Sequence, residues 1–184
     1  MMVDILIGIW LLSMALIGIR LLVLLKKNNL KFFGKPFLNP VVFYAGKIAL
    51  VGTWGAAFLE LTRITNNPTP EWATPIIIML VIVSWVLVYP AEYKLGTRLK
   101  PGIPEEKTTL ETKGIYKYTR HPIYLGAYLF GLASALYAPT TINAAFLLII
   151  IIVHEQIIKK EEKYLAKKFK GKWKEYSEKT PKYI

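Results

Sequence analysis

The chain contains no cysteine, which excludes disulfides and cysteine-ligated metals and leaves the redox compartment unread from cysteine usage. Histidine is nearly as scarce. His121 and His154 are the only two, too few for a convincing metal set, so no metal site is expected. No glycine-rich nucleotide loop is present. Ser13, Ser84, Ser134 and Ser177 stand outside any nucleophile elbow or triad context, which leaves hydrolase chemistry without support. Internal repeats, low-complexity tracts and flexible linkers are also missing, so residues 1–184 read as a single domain.

Apolar sequence fills the space these absences leave. Of 184 residues, 54% are hydrophobic, with runs near twenty residues long that a soluble domain of this size has no interior to hide. The first run, Ile5 to Leu25, follows Asp4 and lacks the basic start and small-residue cleavage site of a secretory signal, so it reads as a retained helix. At a rise of ~1.5 Å per residue it would extend roughly 31 Å, matching a hydrocarbon core of about 30 Å. Four further spans are expected at Val41–Leu61, Ala73–Tyr89, Pro122–Tyr137 and Thr141–Ile158. Runs this continuous exclude the alternating strands of an outer-membrane barrel and leave helices to satisfy the backbone in lipid. The expected fold is therefore all-α, an integral membrane bundle of five transmembrane helices. A cytoplasmic cap is expected from residues 90–121 and 159–184.

Lys plus Arg total 24 against 12 Asp plus Glu, for a net charge of +12, and their distribution predicts orientation. Successive connections and the tail carry four, one, seven, none and ten basic residues. The third set comprises Lys94, Arg98, Lys100, Lys107, Lys113, Lys117 and Arg120. This alternation predicts the C-terminus in the cytoplasm and the N-terminus outside. Arg20 and Lys47 fall within spans but near their cytoplasmic ends, where both are expected to snorkel toward headgroups. Topology and attraction to anionic membrane lipids account for the basic excess, and no nucleic-acid partner is needed.

Chemistry concentrates at two points. Arg120 and His121 precede Pro122, whose preset φ and missing N–H suit the first turn of a helix, so both side chains stand at a helix mouth that favours anions. Tyr124 and Tyr128 follow on one face. Just past the last span come Glu161 and Glu162, carboxylates able to accept from an ammonium group. Seven-residue spacing aligns His154 with Glu161 and Glu155 with Glu162. Glu155 either joins a stripe facing the bundle or pairs along the helix with Lys159. Arg120 and Glu155 are the candidate catalytic residues.

The runs Leu110-Glu111-Thr112-Lys113-Gly114-Ile115-Tyr116 and Arg120-His121-Pro122-Ile123-Tyr124-Leu125-Gly126 stand out together. With Glu161-Glu162 followed by Leu165, Phe169, Trp173 and Tyr176, they resemble the isoprenylcysteine carboxyl methyltransferase and phospholipid methyltransferase family. The Arg-His-Pro run alone is shared with membrane sterol reductases, and the Glu-Glu tail makes the methyltransferase resemblance the more specific. The resemblance implies an S-adenosylmethionine site built from the last two spans and the tail, with a lipid-like or prenylated acceptor entering from the bilayer. Carried over, His121 and Tyr124 would hold the methionine carboxylate, and Glu161 or Glu162 its ammonium. Arg120 would position nearby groups, while Leu125, Gly126 and Tyr128 would shape the cavity. The implied reaction is methyl transfer to the C-terminal carboxylate of an isoprenylcysteine or a related small lipid-like substrate. The alternatives are phospholipid N-methylation and an NADPH-dependent sterol-type reduction. Prenylcysteine enzymes often carry an arginine shortly before the glutamate pair, where this chain has His154, Glu155 and Gln156. Oligomeric state is not encoded in these features.

Overall fold

The computed structural model describes residues 2–99, 102 and 109–184. Lys100, Pro101 and Lys107 of the third connection, with part of the cap expected over 90–121, lie outside the described residues. The described residues form six α-helices and no strand: α1 (Met2–Lys27), α2 (Pro40–Leu61), α3 (Ala73–Leu95), α4 (Pro122–Tyr137), α5 (Thr141–Phe169) and α6 (Gly171–Lys179). Short 3₁₀ turns follow α3 at Gly96–Arg98 and precede α4 at Gly114–Lys117.

Helix α1 shows why these segments are membrane helices. Val3, Ile7, Trp10, Met14, Ile17, Leu21 and Leu25 recur at three- and four-residue intervals and face the bundle. Ile5, Ile9, Leu12, Leu16, Ile19 and Val23 on its outer side are each more than half exposed, and among them only Arg20 interrupts an apolar surface. A helix apolar on all sides belongs in a bilayer. α1, α2, α5, and α3 with its 3₁₀ extension to Arg98 are long and apolar enough to cross a membrane, so the protein is a multi-pass membrane protein.

The expectation of five full-length spans meets four such helices. The fifth, α4, is apolar but has only 16 residues, about 24 Å of helix against a hydrocarbon core of about 30 Å. It nonetheless runs between the two polar ends of the bundle. At one end the Tyr137 hydroxyl donates to Asp4 at 2.5 Å, and the Tyr137 carbonyl accepts from Thr69 at 3.0 Å. At the other end, His121 caps α4 beside α5. Proline marks both limits of α4: Pro122 opens it, and the chain leaves the helix at Ala138, the residue before Pro139.

Small residues allow the close approach of helices that lipid alone does not drive together. A Cβ on Gly126 would collide with Val88 of α3 and crowd the Ser84 carbonyl, so only glycine permits the α3–α4 crossing. Ser84 Oγ donates to the Gly126 carbonyl at 2.8 Å and accepts from Trp10 Nε1 at 3.2 Å, tying α1, α3 and α4 together. Trp10 stacks on Phe130 with 3.6 Å between ring centroids. Gly46 and Gly52 bring α2 against Val153 and Phe146 of α5. The result places α4 between α3 and the α2–α5 pair, with its N-terminus open to the extension of α5.

Candidate functional site

The site grows from the antiparallel approach of α4 and α5. His121 meets Glu162, Tyr124 meets Glu161 and Tyr128 meets Glu155, so each step down α4 is matched by a step back along α5. His121 Nε2 lies 3.0 Å from Glu162 Oε1, and since a carboxylate accepts, that nitrogen is the donor. Arg120 donates to the same oxygen through Nε at 3.0 Å and through a terminal nitrogen at 2.9 Å. Its remaining terminal nitrogen donates to the carbonyls of Ser177 and Thr180, at 3.0 and 2.6 Å. One guanidinium thus joins α4, α5 and the chain after α6.

The tail continues this clamp. Arg120 N–H donates to the Pro181 carbonyl at 3.0 Å, and Thr119 Oγ1 to the Lys182 carbonyl at 2.8 Å. The chain then descends beside α5, where Lys182 Nζ donates to Glu155 at 2.5 Å and the Tyr183 hydroxyl donates to the other Glu155 oxygen. Tyr128 donates to that same oxygen at 3.3 Å. Of the two arrangements open for Glu155, it faces inward, and its cation is Lys182.

Helix α6 packs over the connection that precedes α4. Trp173 and Tyr176 are buried, and the Tyr176 hydroxyl donates to the Tyr116 carbonyl at 2.7 Å. Burial pushes the Tyr176 hydroxyl up to about 12 against the opposing pull of Arg120, so it remains a donor at neutral pH. Burial, and then Glu161, also push the Tyr116 hydroxyl well above the usual tyrosine range. Glu111 anchors the same connection through Arg98 at 2.9 Å. Outside this contact an open cavity of about 490 Å³ is lined by Lys117, Lys172 and Lys179 among others.

A second polar row lies about 100° around α5, as successive residues of a helix must. Tyr124 Oη donates to Glu161 at 3.0 Å, and its ring centroid is 5.4 Å from that of His154. His154 is 1% exposed, and its Nε2 lies 3.2 Å from Lys47 Nζ on α2. Lys47 therefore does not take the snorkelling orientation expected of it; it turns inward because an acceptor waits on α5. Arg20 stacks over the Tyr93 ring at 4.3 Å.

Among the expected site residues, Arg120, His121, Tyr124, Tyr128, Glu155, Glu161 and Glu162 come together. Leu125 is half-buried on α4. Gly126 turns its open side to α3, and its small size serves the helix crossing. Lys47, Lys182 and Tyr183 were not among the expected residues. For Lys47 the signal was available, because an ionisable residue within a span ordinarily faces protein. No three His, Cys, Asp or Glu side chains among the described residues are placed to hold a metal.

No curated protein and no solved structure matches the chain. A family model does: phospholipid methyltransferase matches residues 72–172, a stretch that includes α3, α4 and α5 and with them the Arg120–His121 mouth and the Glu161–Glu162 pair. Since that match spans more than half of the 184 residues and takes in the helices that build the polar seam, the chain belongs to the phospholipid methyltransferase family.

Proposed function

We propose that the protein transfers a methyl group from S-adenosylmethionine to an acceptor held in the membrane, with the cofactor's methionine end at the α4–α5 seam. One observation carries this reading: Arg120 and His121 share the Glu162 carboxylate at 2.9–3.0 Å, beside Glu161 and at the mouth of α4. Cationic and anionic groups that satisfy one another are also the complement of a zwitterion, which brings a carboxylate for the first set and an ammonium for the second. The donor set therefore fits the methionine portion of this cofactor, while the tyrosine face of α4 offers apolar wall. When bound, the cofactor supplies a methyl group on a sulfonium, already activated toward attack.

The chain's own residues then contribute orientation and exclusion of water. His121, with Tyr124 below it, orients the carboxylate end, and Glu161 or Glu162 accepts from the ammonium. Arg120 positions Glu162 and holds the tail across the seam. Glu155, in contact with Tyr128, Lys182 and Tyr183, is the group nearest the membrane interior along this row and the candidate for taking the proton that an amine acceptor would lose, a step that a carboxylate acceptor does not need. The C-terminal carboxylate of an isoprenylcysteine is the acceptor we favour, with a phospholipid amine second. We take this end of the bundle to be cytoplasmic and the N-terminus to be outside, with α4 as a fifth crossing, a reading that the distribution of basic residues among the connections supports.

Calorimetric titration of the detergent-purified protein with S-adenosylmethionine, and separately with NADPH, tests the reading. Saturable S-adenosylmethionine binding that is lost in His121→Ala and in Glu162→Ala is the expected result. Binding of NADPH alone would overturn it in favour of a reductase.

A further inference from the structure

His154 and Lys47, the part of the second polar row beyond Tyr124 and Glu161, are not used by the cofactor reading, and Lys47, on α2, lies outside the matched family region. Three observations define the pair. Lys47 as an ammonium only donates, so its contact with His154 Nε2 fixes the ring hydrogen on Nδ1. That Nδ1–H is buried and has no hydrogen-bond partner, on a side chain 1% exposed. An ammonium carries three N–H groups, and one of Lys47's goes to His154, which leaves two more donors in the same place. The His154 Nδ1–H is therefore a buried donor with no acceptor, an arrangement costly in an apolar setting unless something fills it, and the ammonium beside it faces the carboxylate of Glu161 as its nearest countercharge.

Its position says what kind of group would fill it. Lys47 lies seven residues into α2, roughly 10 Å from the helix start. Its neighbours Tyr44, Ile48 and Val51 are exposed and apolar on the bilayer side. On α5, Leu148 and Ile152 continue the same lipid-facing surface. Inward, the His154 ring is 5.4 Å from the Tyr124 ring, which is 5.8 Å from that of His121, so a row of rings joins the Lys47 side to the Arg120–Glu162 side.

We propose that Lys47, held in place by His154, binds an anionic oxygen group carried by the lipid-like acceptor, a carboxylate or a phosphodiester. Lys47 is the group that selects the charge, and His154 is a positioning residue that aims it. An acceptor presenting only an ammonium at this point is disfavoured by the same charge. The inference rests on the methyltransferase reading for calling the ligand an acceptor, and its test does not depend on cofactor binding.

The experiment measures equilibrium binding of radiolabelled amphiphiles to the full-length protein in detergent. The probes are an N-acetyl S-prenylcysteine with a free carboxylate, its uncharged methyl ester, phosphatidylethanolamine, and diacylglycerol. Wild-type protein should bind at least one charged probe about tenfold or more tighter than its uncharged counterpart, the range of a hydrogen bond to a charged group. Preference for the carboxylate over the ester identifies a carboxylate, and preference for phosphatidylethanolamine over diacylglycerol identifies a phosphodiester. Lys47→Gln should abolish the preference, Lys47→Arg should retain part of it, and His154→Asn should weaken it with S-adenosylmethionine affinity unchanged. Equal affinities for charged and uncharged probes in the wild-type protein would overturn the proposal, whether or not the variants fold. So would a preference that survives Lys47→Gln. Absence of S-adenosylmethionine binding alongside an intact Lys47-dependent preference would overturn the cofactor reading alone.

Discussion

His121 Nε2 and Glu162 Oε1 stand 3.0 Å apart although 41 residues separate them in the chain. The contact is created by the α4–α5 hairpin: the helices run antiparallel from the turn at Ala138–Thr140, so each residue further from the turn on α4 meets one further from it on α5. α5 continues far past the length of α4 before Phe169, which carries Glu161 and Glu162 to the level of the α4 mouth and the connection before it.

Arg120 completes that contact, and lysine cannot replace it. The guanidinium reaches Glu162, the Ser177 carbonyl in α6 and the Thr180 carbonyl just beyond it from fixed directions, whereas an ammonium is a single point on a flexible stem. Arg120→Lys should lower stability by about 2 kcal/mol through lost charged hydrogen bonds. It should also speed hydrogen exchange in residues 177–183. Thermal unfolding in detergent and exchange mass spectrometry check both, and an unchanged tail would refute the clamp.

Gly126 was expected to shape a cofactor cavity, and its open side instead receives Val88 of α3. Gly126→Leu should therefore cost about 1–3 kcal/mol, as overpacking does. The fraction that remains folded should bind S-adenosylmethionine as wild type does. A variant of normal stability that has lost the cofactor would return Gly126 to the cavity wall.

The helices and the pairing of motifs were legible because membrane helices write themselves as long apolar runs and because Pro122 marks a helix start. The polar ends were legible too, as Arg120-His121 and Glu161-Glu162 flank one hairpin. The role of Lys182 and Tyr183 was not, since nothing local in Pro181-Lys182-Tyr183-Ile184 reveals that the chain folds back onto Glu155. Lys47 was misread for a related reason. Snorkelling and inward pairing suit the same sequence position, and only the register of α2 on α5, set by Gly46 against Val153, brings His154 within reach.

Glu155 holds the end of the tail by accepting from Lys182 and Tyr183. Glu155→Ala removes both acceptors at once and should release residues 182–184 while leaving the Arg120 clamp closed. Carboxypeptidase digestion should then proceed faster than in wild type and stop before Thr180. Digestion at the wild-type rate would show that the tail is held by other contacts.

Acidification should loosen the connection before α4. Burial opposes it, but Arg98 and the Lys113 N–H hold the Glu111 carboxyl below its ordinary value of 4.5. A depressed folded value means that the contact contributes stability above the unfolded value and loses it as pH falls through the lower, folded one. Exchange protection in residues 109–117, corrected for intrinsic rates, should be level from neutral pH to just above 4.5 and decline below it. Glu111→Gln should show reduced protection with no such decline.

The absence of cysteine makes orientation directly measurable, because any thiol label reports only an introduced site. Asn66, in the connection after α2, and Lys172, on α6, are both exposed and lie at opposite ends of the bundle. The single basic residue of the former connection, Arg63, against ten in the tail predicts opposite sides of the membrane. In intact cells a membrane-impermeant maleimide should label Asn66→Cys and spare Lys172→Cys until the cells are lysed. Labelling of both in intact cells would remove α5 as a crossing, and the reverse pattern would place the Arg120–Glu162 seam on the outer face, away from cytosolic S-adenosylmethionine. The orientation experiment therefore bears on the chemistry as well as the topology: the seam can meet a cytosolic cofactor only if Lys172 is the protected site.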